Sequence, residues 1–131
     1  MSIFKRQEAL SIGARGEKAA LAYLKKRGYK ILDSNFCNTG GRRLGEIDII
    51  AKDGEEIVFV EVKTRTSSDF KKPLPEESIT PVKLYKLNKA ASFYISKNQL
   101  FATPYRFDAV TLVADSENNR AALKHFKNIF I

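Results

Sequence analysis

Apolar residues recur along this chain with two periods, and the switches between them mark out the elements. From about Ser11 to Arg27 the spacing is helical, with Gly13, Ala20, Leu21 and Leu24 on one stripe. Lys25, Lys26 and Arg27 complement the helix dipole, and Gly28 supplies a left-handed C-cap. Tyr29 to Phe36 predicts a first strand with its end at Asn35. The stretch from Gly45 to Arg65 (GEIDIIAKDGEEIVFVEVKTR) then alternates with period two on either side of Asp53-Gly54, a pair that tolerates the positive φ angles of a tight hairpin turn. An even loop there pairs Lys52 with Glu55, Asp48 with Phe59 and Glu46 with Glu61. One face would carry Glu46, Asp48, Glu61 and Lys63 beside Ile50, Ile57 and Phe59; the other would carry Ile47, Ile49, Val58, Val60 and Val62.

The polar, Pro-punctuated segment over about 66–79 is longer than most connections, so it reads as a mobile loop, either a flap over a substrate or a segment without function. Thr80 as N-cap and Pro81 at the first helical position open a second helix running to about Ser96. Leu84, Leu87, Ala91 and Tyr94 or Ile95 form its buried stripe, and Lys83, Lys86 and Lys89 a basic ridge. That ridge is either a solvated face or a track for a phosphate backbone. Tyr105 to Ala114 predicts a strand, Asp115 to Asn119 a polar turn, and Ala121 to Ile131 a last edge strand with an irregular continuation.

A chain of 131 residues is one domain, 1–131, long enough for a real core. The formal net charge of +8 favours a polyanionic partner through steering and counterion release. The single Cys37 excludes an internal disulfide and fits a reducing compartment, and no stretch reaches signal-peptide or membrane-helix length. The expectation is a soluble cytoplasmic protein with no membrane partner. One histidine and one cysteine cannot build a Cys/His zinc site, and neither a nucleophile elbow nor a dinucleotide-binding glycine fingerprint is present. His125 is expected to pack or cap locally, and Asp108 to pair with Arg106 or a lysine.

The acidic face of the hairpin is the chemistry that remains. Carboxylates at the margin of a half-covered sheet lose hydration and raise one another's pKa, which a divalent cation held by Asp48 and Glu61 would relieve. Mg²⁺ suits oxygen ligands and keeps several waters. The alternative is an amphipathic hairpin whose charges meet solvent. Lys63 lies one side-chain period beyond Glu61, within reach of a metal-bound water or a phosphate. Glu17 falls on the first helix's apolar stripe, where a carboxylate calls for a partner; reaching water or pairing with Arg15 would supply one. The loop from Cys37 to Leu44 offers Arg42 and Arg43 to phosphates, or is an ordinary solvated loop.

Asp48 followed by Glu61-Val62-Lys63 after a hairpin resembles the D…(D/E)-x-K signature of the PD-(D/E)XK nuclease superfamily, which includes proteins similar to restriction endonucleases and Holliday-junction resolvases. More narrowly, Gly16-Glu17, Gly45-Glu46-Ile47-Asp48, Phe59 to Arg65, Tyr105-Arg106-Phe107-Asp108 and His125 to Phe130 resemble the uncharacterised YraN-like family over nearly the whole chain. The resemblance implies an α/β fold, a mixed sheet flanked by helices in an αβββαβ restriction-endonuclease-like core. It implies a nuclease, or a nuclease-like protein, acting on nucleic acid, DNA before RNA. Mg²⁺ or Mn²⁺ would be held by Asp48, Glu61 and the Val62 carbonyl, with Glu17 completing or extending the site and Lys63 stabilising charge or orienting water. Glu46 is a lesser candidate, and Arg65, with Arg42, Arg43, Lys83 and Lys86, would meet phosphates. The other classes in play are a non-catalytic nucleic-acid-binding protein and an interaction or assembly factor. A junction-resolving activity would call for a homodimer.

Overall fold

The structure, a computed structural model, describes residues 12–37, 45–66, 80–115 and 120–129. Arg42 and Arg43, most of the segment over 66–79 and the turn over 116–119 lie outside the described residues. Two helices, α1 (Ile12–Lys26) and α2 (Pro81–Lys97), flank five strands: β1 (Lys30–Cys37), β2 (Glu46–Asp53), β3 (Glu56–Thr66), β4 (Tyr105–Asp115) and β5 (Arg120–Phe126). The strands form one mixed sheet in the order β1-β2-β3-β4-β5. Its pairs are antiparallel except for the central β3–β4 pair, which is parallel and joined through α2. The expected αβββαβ order is therefore observed, with β5 added on the far edge.

Alternation along β3 sorts the core into two layers. Ile57 and Phe59 pack with Phe36, Ile47, Ile50 and Phe107 against Leu87, Ala90, Ala91 and Tyr94 of α2. Val58 and Val60 face the other way and pack with Ile49, Ala51, Val110 and Leu112 against Ala20 and Leu24 of α1. Both faces of the sheet are covered, which is why its strands read as nearly continuous apolar runs.

Three expectations are corrected. The hairpin pairs Asp53 with Glu56 and Lys52 with Ile57, two residues away from the predicted register. Only Gly54 has positive φ (61°) in the loop, so Gly54-Glu55 form a turn with Gly at its first central position, whereas Asp53-Gly54 would need positive φ at both. A two-residue shift preserves parity, so Glu61 keeps the face of Ile57 and Phe59. Ile47 sits in the α2 layer rather than with Ile49. On α1, Gly13 is exposed and the buried stripe is Gly16, Ala20 and Leu24.

α2 begins as its sequence requires. The Thr80 hydroxyl accepts the Lys83 N–H at 3.2 Å and Pro81 follows at the first helical position. Under the C-terminal part of α1, Asp108 is fully buried. It accepts from Arg106 Nε (3.0 Å) and the Asn128 N–H (3.0 Å), and lies 2.8 Å from His125 Nε2, whose Nδ1 lies 3.1 Å from the Tyr23 hydroxyl. Arg106 also reaches Glu56, Asp53 and the Tyr29 hydroxyl. Asp108 is structural, as its pairing with Arg106 predicted, and the network ties β4 to α1, the hairpin and the end of β5. Among the described residues no helix is long and apolar enough to cross a membrane.

Candidate active site

The β1–β2 ladder shifts register between Ile31 and Asp33, and its alternation breaks again farther along β1. Ser34 pairs with Ile49 and Phe36 with Ile47, so Asn35 stands across from Asp48. Asn35 is left-handed at φ 53°, a conformation that Asn tolerates better than β-branched or bulky residues. On either side of this pair the strands exchange faces: Phe36 and Ile47 turn to α2, while Ile49 turns to α1. The regular β2–β3 ladder stops beside it, at Ile49 and Val60. One further step would set Asp48 opposite Glu61. Instead the Asp48 carboxylate itself accepts the Val62 N–H at 2.8 Å.

Asp48 is thereby held at the fork between two layers. On the α2 side it lines a cavity of about 270 Å³ together with Gly45, Glu46, Glu61, Lys83, Lys86 and Leu87. On the α1 side Glu17 stands close enough for its charge to act on Asp48. With its nitrogen turned toward the carboxylate, the Asn35 amide donates to both Glu17 oxygens at 3.2 Å. Burial first, then the charge of Glu61, then Glu17 push the Asp48 carboxyl up to about 7 against the pull of the Val62 amide.

Glu61 is buried on the α2 face of β3. One of its oxygens lies 2.5 Å from Lys83 Nζ and 3.5 Å from Lys63 Nζ. Burial, and then contact with the Lys83 ammonium, lower the Lys63 pKa. Lys83 is also opposed by burial, but its contacts with Glu61 and Lys63 leave its pKa raised.

Two glycines make these approaches possible. A Cβ on Gly45 would run into the Lys86 carbonyl of α2, and a Cβ on Gly16 into the Thr64 hydroxyl of β3. Each glycine immediately precedes an acidic residue, Glu46 or Glu17, so the close contacts fix where those carboxylates emerge.

The structure thus brings together Asp48, Glu61 and Lys63, with Glu46 exposed at the cavity wall. Glu17 stands close to Asp48 but behind it rather than in the wall. Lys83, expected on the basic ridge, turns inward to Glu61; Lys86 lines the cavity, and Lys89 lies over the Tyr85 ring at 5.4 Å on the outer face. Arg65 is half-buried at the far end of β3. Periodicity could not reveal Asn35 or the inward turn of Lys83. The one available signal for Asn35 was a weak strand former inside a strand pattern.

Among the described residues no three His, Cys, Asp or Glu side chains are gathered closely enough to hold a metal by themselves. Asp48 and Glu61 nevertheless offer hard oxygen donors in one cavity, where burial and the charge of Glu61 raise the Asp48 carboxyl and a cation would relieve it. Such a pair fits Mg²⁺ or Mn²⁺, which commonly bind through one or two carboxylates with water and substrate phosphate making up the rest.

Comparison with known proteins places the chain, by its sequence, in a family. The profile described as Uncharacterised protein family UPF0102 matches residues 16–112. A UPF0102 protein of Syntrophomonas wolfei is 40% identical over 119 residues, covering 91% of this chain and 96% of that one. Another, from Thermodesulfovibrio yellowstonii, is 43% identical over 121 residues, covering 92% and 96%. A solved structure described as a fdxN element excision controlling factor protein from Anabaena variabilis aligns over 85% of this chain and 97% of that one, with TM-score 0.41 and 15% identity, a likeness too slight to speak to function.

Proposed function

This chain belongs to the uncharacterised family UPF0102, and from its own geometry we propose that it is a metal-dependent nuclease hydrolysing phosphodiester bonds in nucleic acid, DNA before RNA. The observation that carries the proposal is the convergence of Asp48 and Glu61 on one cavity with Lys63 on the same face of β3. A solvated acidic surface would not bury Glu61, nor hold Asp48 between two other carboxylates.

In this reading Asp48 and Glu61 would hold Mg²⁺ or Mn²⁺, with the Val62 carbonyl, as the resemblance implies, a further oxygen. When bound, the cation lowers the pKa of a water and polarises a phosphoryl oxygen. Lys63, with 29% of its side chain exposed, sets its ammonium beside Glu61, placed to orient the attacking water or to stabilise charge developing on phosphate. Glu17 is a positioning residue: steadied by Asn35, it fixes the Asp48 carboxyl from behind. Lys86 in the cavity wall and Lys89 farther along α2 carry the backbone of the nucleic acid outward, and Arg65 serves the far rim. The net charge of +8 supports the same partner by long-range attraction.

The test is incubation of the purified protein with labelled single-stranded, double-stranded and branched DNA and with RNA, in Mn²⁺ and in chelator. Metal-dependent cleavage of at least one substrate, lost in Lys63→Ala, is expected. Cleavage by none, or cleavage that survives Lys63→Ala unchanged, contradicts the proposal.

A further inference from the structure

Glu61 carries two ammonium groups on a single oxygen, Lys83 at 2.5 Å and Lys63 at 3.5 Å. A divalent cation that takes this carboxylate competes with both, and first with the nearer one. Lys83 is built to yield. Its backbone is fixed in the first turn of α2, where the Thr80 hydroxyl accepts its N–H. Its ammonium sits at the end of a flexible four-carbon stem with 31% of the side chain exposed, so the head can move several ångströms while the helix stays still. Gly45 packed on the Lys86 carbonyl keeps that part of α2 against the start of β2.

We propose that Lys83 is an exchangeable counter-cation: it holds Glu61 while no divalent cation is bound and turns to a substrate phosphate once one is. The inference rests on reading Asp48 and Glu61 as cation ligands. With both carboxylates engaged, Glu46 is the remaining anionic side chain of the cavity lining, and an incoming phosphate offers Lys83 a second anionic acceptor. A phosphate accepts strongly from an ammonium. Cation and nucleic acid then bind cooperatively, each raising the affinity for the other by the same factor. Lys83 rather than Lys63 makes the exchange, because Lys63 lies an ångström farther from the shared oxygen and gives up less when the cation takes it.

Mn²⁺ titration by calorimetry without nucleic acid, on the parent, Lys83→Met, Lys83→Arg and Lys86→Met, reads the first half of the exchange. Lys83→Met is expected to bind Mn²⁺ about tenfold more tightly, the worth of one lost charge-assisted contact, while Lys83→Arg and Lys86→Met stay within about twofold of the parent. Oligonucleotide affinity with and without Ca²⁺, read by fluorescence anisotropy, gives the second half. The gain produced by Ca²⁺ in the parent is expected to shrink severalfold in Lys83→Met and to persist in Lys83→Arg. Equal Mn²⁺ affinity for the parent and Lys83→Met, or an undiminished Ca²⁺ gain, overturns the exchange while leaving the metal site standing. A parent that binds no Mn²⁺ overturns the metal site and the exchange with it. Thermal melts of each variant confirm that the folded protein is being compared.

Discussion

Asp48 bears a cost that its neighbours impose. Its carboxyl is raised to about 7 by burial and by Glu61 and Glu17, against about 3.9 in an unfolded chain. Between those values the unfolded state releases a proton that the folded state keeps, so stability falls as pH rises from about 4 to 7. Asp48→Asn should remove that fall and stabilise the metal-free protein at neutral pH by about 1–2 kcal/mol after solvent screening, as read by urea denaturation on either side of the window. Asp108 behaves in the opposite sense. Burial raises its carboxyl, but His125, Arg106 and the Asn128 amide together hold it below the ordinary value. It therefore contributes stability above about pH 4 that is lost as pH falls further, and Asp108→Asn should cost about 1.5–3 kcal/mol by removing the charge that Arg106 Nε and the Asn128 N–H donate to, while Arg106 keeps Glu56 and Asp53. For Lys63, replacement by Met keeps much of the aliphatic stem and removes the cation. Metal affinity should be equal or tighter, while cleavage drops by roughly 10²–10³-fold, as when one charge-stabilising donor is lost.

At the scale of elements, the hairpin shows what period and turn chemistry can and cannot specify. Alternation and an even loop put Glu61 and Lys63 on the face of Ile57 and Phe59, and the structure agrees. The register itself was off by two, because the choice between Asp53-Gly54 and Gly54-Glu55 as turn centre depends on φ angles that residue types only bias. The exchange of faces at Asn35 and Asp48 was hidden because period-two reasoning assumes an unbroken pleat. Contacts such as Asn35 with Glu17, Lys83 with Glu61 and His125 with Asp108 join residues from separate elements, and no local pattern encodes them. The glycines before Glu17 and Glu46 are visible as motif letters, but their packing roles lie in contacts with Thr64 and Lys86 of other elements. Gly45→Ala should push α2 away from β2, lowering stability by about 1–3 kcal/mol and weakening Mn²⁺ binding through Asp48. An unchanged melt would show that the contact has slack. On α2, removing the outward charges by Lys86→Ala with Lys89→Ala should weaken nucleic-acid binding and lower the slope of log affinity against log salt by about 1–2. An unaltered slope would make that face merely solvated.

Across the described residues, a sheet covered on both sides supplies a rigid frame, and the site occupies a place where that frame opens. β2 and β3 stop pairing at Ile49 and Val60, α1 closes the fork from behind with Glu17, and α2 closes it in front with Lys83. The central claim is that this fork is a divalent-cation site formed by Asp48 and Glu61. It is tested most directly by one calorimetric titration of Mn²⁺ into the parent protein beside Asp48→Asn and Glu61→Gln. The account predicts saturable binding to the parent and its loss in both variants, with all three proteins folded. Absence of binding to the parent, or equal affinity in all three, would contradict it.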